Sequence, residues 1–324
     1  MEYTRLGSSG LKVSRVALGC MSFGEAERGS NQWTLDDAAA EPVFRQAVES
    51  GITFWDTANT YSDGTSEEVV GRAIRKYTDR DSIVLATKVF FPMGDGPGGR
   101  GLSRRAILEQ VDNSLARLGT DYVDLYQIHR FDPETPVEET MEALHDLVRA
   151  GKVRYLGASS MWAWQFAKLQ HAADLGGWTR FVSMQNQYSL LQREEEREMF
   201  GLLADQGVGS LPWSPLAKGW LARPWDAAAT QRAKSDPLTA RYEGEENRPI
   251  VDAVRRVAEA RGVPMAQVAL AWVLHNPEVD APIVGPTKSH HLADAVAAVD
   301  LELTDDEVTA LEENYTARQP SGYK

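Results

Sequence analysis

Residues 122–159, YVDLYQIHRFDPETPVEETMEALHDLVRAGKVRYLGAS, read as one strand–helix–strand unit. Tyr122–His129 is rich in β-formers and largely apolar, as suits a parallel strand buried on both faces. Thr135-Pro136-Val137-Glu138 combines a capping box with Pro at the first helical position. Val137, Met141, Leu144 and Leu147 then make one apolar stripe, and Gly151 supplies a left-handed stop. Val153–Ser159 is the next β-rich run.

The same alternation extends in both directions. Further strand candidates are Val16–Gly19, Ile52–Asp56, Ile83–Lys88, Phe181–Asn186, Val208–Ser214 and Ala281–Val284. Helical patterns cover Leu35–Ser50, Glu67–Tyr77, Ala163–Leu175, Glu194–Gln206, Ile250–Ala260 and Met265–His275. Another runs from Ser103, through Leu108, Val111, Leu115 and Leu118, to a stop at Gly119. Eight strand candidates, nearly all followed by a helix, predict an α/β protein of the (β/α)8 TIM-barrel type rather than a doubly wound sheet. Ahead of them, Tyr3–Leu6 and Leu11–Val13 flank Gly-Ser-Ser-Gly, a β-hairpin placed to close the bottom of the barrel. No composition shift or repeat divides the chain, so residues 1–324 read as a single domain.

Bulk composition narrows the partners. Of 324 residues, 43% are hydrophobic and 25% charged, ordinary values for a globular protein. Acidic residues outnumber basic ones by 47 to 34, a formal charge of -13, with no Lys/Arg run. That argues against nucleic acid and anionic membranes, whose binding needs a basic surface. The single cysteine, Cys20, excludes an intrachain disulfide and any multi-thiolate metal site. The N-terminus lacks the apolar stretch of a secretory signal, and no apolar run approaches bilayer length. A cytoplasmic monomer acting on a small molecule is the expectation, with no metal.

Gly94-Asp95-Gly96-Pro97-Gly98-Gly99 matches G-x-G-x-x-G in form. A dinucleotide fingerprint must follow a strand directly and open a helix, and here the next helix start is Ser103. The segment therefore reads as a loop over the barrel mouth. Leu216–Pro249 reads as a second long loop on the same side.

Four polar residues fall at or just beyond strand ends: Asp56, Tyr61, Lys88 and His129. Alone, each has a plain structural explanation as cap, packing ring, snorkelling cation or buried imidazole. Together they suit reduction of a carbonyl, where hydride arrival leaves negative charge on oxygen and demands a proton. A tyrosine phenol is a weak acid with an ordinary pKa near ~10. An adjacent ammonium is expected to lower it, a carboxylate to hold that ammonium charged, and a neutral imidazole to orient the carbonyl.

These residues carry a resemblance. Asp56-Thr57-Ala58 with Tyr61, Leu85-Ala86-Thr87-Lys88 and Asp121–His129 resemble, in order and separation, the signatures of the aldo-keto reductase superfamily. The likeness covers essentially the whole chain. It implies Tyr61 as catalytic acid, Lys88 and Asp56 as its tuning pair, and His129 as substrate orienter, with NADP(H) favoured over NAD(H) as cofactor. Ser159 and Gln185 are implied carboxamide contacts, and Trp213 the ring stacked on nicotinamide. Ser214, Leu216 and Gly219 are implied at the pyrophosphate, and Gly285, Thr287, Lys288 and His291 around the adenosine phosphate. Ser160 and Ala295 stand where the family commonly has Asn, and the frequent Arg beside Lys288 is absent. Met1–Gly24 and Ser214–Leu221 look closest to bacterial, monomeric members. Trp33, Phe90 and Trp220 are the expected substrate-pocket aromatics, among mouth-loop rings that also include Phe91, Trp162 and Tyr242. A cofactor-binding sensor or accessory module with incidental turnover is the alternative, and a phosphate-binding barrel isomerase or lyase a second. His290-His291 is not expected to form a metal pair, since adjacent helix positions point apart.

Overall fold

The fold was established from a computed structural model that describes residues 1–29, 33–94, 96, 98–227 and 239–320. Its central sheet has eight parallel strands in the order β10-β3-β4-β5-β6-β7-β8-β9. They are β3 (Ala17–Gly19), β4 (Phe54–Asp56), β5 (Val84–Val89) and β6 (Val123–Ile128), followed by β7 (Val153–Ser159), β8 (Phe181–Gln185), β9 (Gly209–Ser210) and β10 (Ile283–Val284). The ring closes between its two ends. Ser210 bridges Val279, Trp213 bridges Ile283, and Ile283 N donates to Pro212 O at 2.8 Å.

Helices wrap the outside: α1 (Asp37–Glu49), α2 (Thr65–Tyr77), α3 (Arg104–Leu118), α4 (Val137–Arg149) and α5 (Ala163–Gly176). They continue as α6 (Met199–Gln206), α7 (Arg248–Arg261), α8 (Met265–His275), α9 (Ser289–Ala297) and α10 (Asp305–Glu312). The chain thus forms the (β/α)8 barrel that its alternating pattern predicts. No described helix is long and apolar enough to cross a membrane.

The hairpin is present as β1 (Tyr3–Arg5) paired antiparallel with β2 (Lys12–Ser14). Leu6 and Val13 beside it pack with Ala17, Phe54, Ala86, Leu125 and Leu211, residues of the barrel interior toward the strand starts. Gly7 N also donates to Asp280 Oδ2 at 2.7 Å, which pins the hairpin across that end. The opposite, carboxyl end is therefore the open mouth.

Several local expectations need correction. Thr135 does not cap α4: Pro136 is the N-cap, and the Thr135 hydroxyl donates to Asp132 Oδ2 at 2.8 Å. Asp132 outcompetes the helix because it also collects Leu102 N and Glu134 N, organising the whole loop. Val208–Ser214 forms only the two-residue β9, since its later part makes isolated bridges where the ring closes. Glu194–Gln206 splits into a 3-10 turn, Glu194–Glu196, and α6. In the glycine-rich loop, residues 95 and 97 lie outside the described residues, as do 228–238 of the second loop. β5 ends at Val89 and Ser103 caps α3, so those glycines neither follow a strand directly nor open a helix.

Close packing of α2 on α3 supplies a first test. A Cβ added at Gly71 would stand 2.1 Å from the Leu118 carbonyl oxygen. Rigid backbone meets rigid backbone there, so Gly71→Ala is expected to destabilise the fold by about 2 kcal/mol. The readout is a lower urea midpoint at unchanged m-value; an unchanged midpoint would contradict this contact.

Candidate functional site

The strand ends gather the four expected residues at one place. Register sets Asp56 opposite Ala86, so Lys88 lies two residues further along β5 and on the same face, toward the mouth. Lys88 Nζ, fully buried, donates to Asp56 Oδ2 at 2.6 Å, to Thr57 O at 2.7 Å and to the Tyr61 hydroxyl at 3.3 Å. His129 follows β6 directly, and its ring meets the Tyr61 ring edge to face at 5.8 Å. The tetrad is one connected group.

Beneath it lies a polar layer of Gln185, an expected cofactor contact, and Gln127, which was not among the sequence candidates. Gln127 Nε2 donates to Asp56 Oδ1 at 2.8 Å, and Gln185 Nε2 to the same oxygen at 3.1 Å. Gln127 precedes His129 by two residues on β6, and strand periodicity alone places both side chains inward. These bonds occupy Gln185 Nε2 and leave its side-chain Oε1 as the group it can offer a ligand.

Electrostatics sort the roles. Desolvation works against the Lys88 charge, but Asp56 and Tyr61 outweigh it and hold the ammonium above its ordinary value. Tyr61 moves upward overall, contrary to the expected lowering. Desolvation of the hydroxyl dominates; Lys88 pulls down, while Asp56 opposes it from the far side of the same ammonium. Tyr61 consequently holds its proton at neutral pH. His129 is pushed well below the usual imidazole range by burial, with Lys88 and Arg130 adding to the effect. It stays neutral, and its buried Nδ1 has no partner among the described residues.

The backbone marks the same end of the barrel. Ser62, Asp63, Ser160, Ser214, Ala217 and Lys218 all have φ between 46° and 58°. Each such non-glycine conformation costs roughly 1–3 kcal/mol and persists where surrounding structure enforces it. All six sit in turns on the carboxyl side of the barrel strands. Ala217, Lys218 and Gly219 are left-handed in succession, with Gly219 at φ 94° and its missing Cβ facing open space.

Around the mouth, Ser159 Oγ donates to Gln185 O at 2.8 Å, and Trp213 Nε1 donates to Ser160 Oγ at 3.0 Å. Ser160 N donates to Asn186 Oδ1 at 3.0 Å, and Asn186 Nδ2 donates to Glu195 Oε2. Glu195 was not among the sequence candidates. Burial pushes its carboxyl up to about 8, aided by Glu194 and opposed by Asn186. Unfolded, the group titrates near ~4.3. Its stabilising contribution is therefore complete below that value and is lost as pH rises through about 8. Glu195→Gln mimics the protonated carboxyl, so its Tm advantage over wild type should widen from about pH 5 to about pH 9. A constant difference would contradict the assignment.

On the far side of the ring closure, Gly285 and Thr287 follow β10, and Lys288 is the N-cap of α9 with no side-chain cap of its own. Thr287 N faces His291 Nδ1 at 3.3 Å. The His290 and His291 rings meet at 4.5 Å rather than pointing apart. No group of three or more potential metal ligands occurs among the described residues. Ala295 is buried in a small cluster with Val16 and Val284.

The expected pocket aromatics separate. Phe90 is half-buried against the core and touches Phe91 at 5.3 Å, and it is Phe91 that reaches the His129 ring, at 4.8 Å. Trp220 packs on Trp225 at 4.6 Å and donates to Thr239 O, within the loop after β9. Tyr242 is buried and its hydroxyl accepts from Gln187 Nε2. Trp33 is half-buried in the loop before α1.

A closed parallel barrel thus carries a buried Asp–Lys pair, a tyrosine and a histidine together at its mouth, the arrangement of an enzyme active site. Comparison with known proteins then gives the family: the chain belongs to the aldo/keto reductase family, whose pattern matches residues 15–316. It is 47% identical to versiconal hemiacetal acetate reductase of Aspergillus parasiticus over 98% of each chain. It is 44% identical to an aldo-keto reductase of Fusarium vanettenii, covering 100% of this chain and 93% of that one. With an aldo-keto reductase of Alternaria alternata it shares 45% identity over 99% of this chain and 93% of the relative. These relatives are fungal, so the expected closeness to bacterial members is not supported.

Proposed function

We propose that this chain, acting as a single-domain cytoplasmic monomer, reduces aldehydes or ketones to alcohols with NADPH, Tyr61 protonating the carbonyl oxygen. The observation that carries the reading is the Asp56–Lys88–Tyr61 hydrogen-bond chain set against a neutral His129. His129 orients the carbonyl oxygen, and Tyr61 delivers its proton there. Lys88, 3.3 Å from the phenol oxygen, stabilises the phenolate that this transfer leaves, and solvent returns the proton. Asp56 keeps Lys88 charged and in place. The reductase names of the relatives support this direction of reaction.

The cofactor site fits in its chemistry. NADP(H), when bound, supplies the hydride. Ser159 and the Gln185 side-chain Oε1 suit the carboxamide, and Trp213, fixed by Ser160, offers a ring face for nicotinamide. Ser214, Leu216 and Gly219 lie in the turn around the left-handed Ala217 and Lys218, and that turn is the proposed seat of the pyrophosphate. Gly285, Thr287, Lys288 and His291 surround the uncapped start of α9, suited to the additional phosphate of NADP(H) over NAD(H). Trp33, Phe90 and Trp220 remain the proposed substrate aromatics, with Phe91 added on its contact with His129.

Two titrations test this. NADPH should quench tryptophan fluorescence with at least about tenfold higher affinity than NADH. The protein should then consume NADPH with an aromatic aldehyde. Tight binding without turnover of any carbonyl would instead establish the sensor reading.

A further inference from the structure

One charged side chain at the mouth has no task in this scheme. Arg130 follows His129 beyond β6 and is half-buried. Its guanidinium donates to the His129 carbonyl at 2.5 Å and lies 5.3 Å from the Phe91 ring centroid. That ring is itself 4.8 Å from the His129 ring. The cation thus stands beside the imidazole that faces Tyr61, and its field reaches the phenol.

No described carboxylate neutralises it. The nearest acid in sequence, Asp132, is engaged by Leu102 N at 2.7 Å, Glu134 N at 2.9 Å and Thr135 Oγ1 at 2.8 Å. Elsewhere arginines do find acids, as Arg80 with Asp124 at 2.7 Å and Arg117 with Glu67 at 2.6 Å. With 47 acidic residues against 34 basic ones, a half-buried unpaired arginine runs against the composition of the chain. A second cation makes the site more unusual. Burial disfavours the Arg130 guanidinium, and the like charge of Arg241, exposed in the 3-10 turn Thr239–Tyr242, adds to that cost. An anion bound at Arg130 would relieve both costs on that guanidinium.

We propose that Arg130, assisted by Arg241, forms an anion subsite that selects carbonyl substrates bearing a carboxylate near the reacting group. A guanidinium pairs with a planar carboxylate through two parallel hydrogen bonds, and here it does so beside the residues that handle the carbonyl. The inference rests on the reductase reading proposed above and names its substrate class.

The test compares kcat/KM for 4-carboxybenzaldehyde with that for its neutral methyl ester, methyl 4-formylbenzoate. Wild type should favour the acid by about tenfold or more, a preference weakened by salt. Arg130→Met should lower that ratio at least about tenfold, Arg130→Lys should restore part of it, and Arg241→Met should lower it about threefold. A wild-type ratio at or below one would overturn the subsite while leaving reductase chemistry intact. Equal losses on both substrates in Arg130→Met, or a matching loss of NADPH affinity by fluorescence, would also overturn it, assigning the guanidinium to the tetrad or the cofactor. Turnover of neither substrate by wild type would defeat the reductase reading itself, and this inference with it.

Discussion

Tyr61→Phe should lower kcat by about 100-fold or more while NADPH affinity stays within about threefold of wild type. The substitution removes one oxygen and keeps the ring, so the edge-to-face contact with His129 at 5.8 Å survives. What disappears is the one group at the mouth that both holds a proton at neutral pH and contacts the buried ammonium. Lys88 cannot take its place directly, because Asp56 and Thr57 already hold that ammonium at 2.6 and 2.7 Å. The pH profile provides a second readout. The Tyr61 pKa is raised, so the proton-donating form persists above the ordinary phenol value, and reduction should hold its rate through neutral pH and decline only in alkali. A decline centred near neutrality would point to a different acid.

Lys88→Met should produce a double loss. Catalysis falls because the phenolate left after proton transfer has no counter-charge. Stability falls because Asp56, only 2% exposed, loses the cation that pairs with it. Leaving one member of a buried pair alone costs about 3–5 kcal/mol. Gln127 and Gln185 still donate to Asp56 Oδ1, which places the expected loss toward the lower end of that range. Asp56→Asn added to Lys88→Met should recover much of the stability and none of the rate. Chemical denaturation and steady-state assays separate the two effects. A Lys88→Met protein as stable as wild type would show that the buried pair is not held as described.

The legible and illegible parts of this molecule divide along physical lines. Val153–Ser159 was readable to the residue because its run of β-formers sits between the Gly151 helix stop and the polar pair Ser159-Ser160, even though Arg154 within it is exposed. Asp56, Lys88 and His129 stood out because they interrupt such runs at the end that opens to the mouth. Helix α10 carried a readable start in Thr304 and Glu307, which form a reciprocal capping box, yet its weak apolar stripe hid it. Thr135 had the right spacing for the same motif and lost it to a tertiary competitor, the loop carboxylate of Asp132. Arg130 and Glu195 were beyond reach for another reason. What makes them notable is burial and the groups around them in space, which a linear reading does not show.

The most direct measurement of the central claim is single-turnover transfer of deuterium from the nicotinamide 4-position of labelled NADPH to an aromatic aldehyde, in wild type and in Tyr61→Phe. The label is expected on the carbinol carbon, appearing about 100-fold more slowly in the variant at unchanged cofactor occupancy. Label that never reaches the carbonyl carbon, or that reaches it equally fast in both proteins, would contradict it.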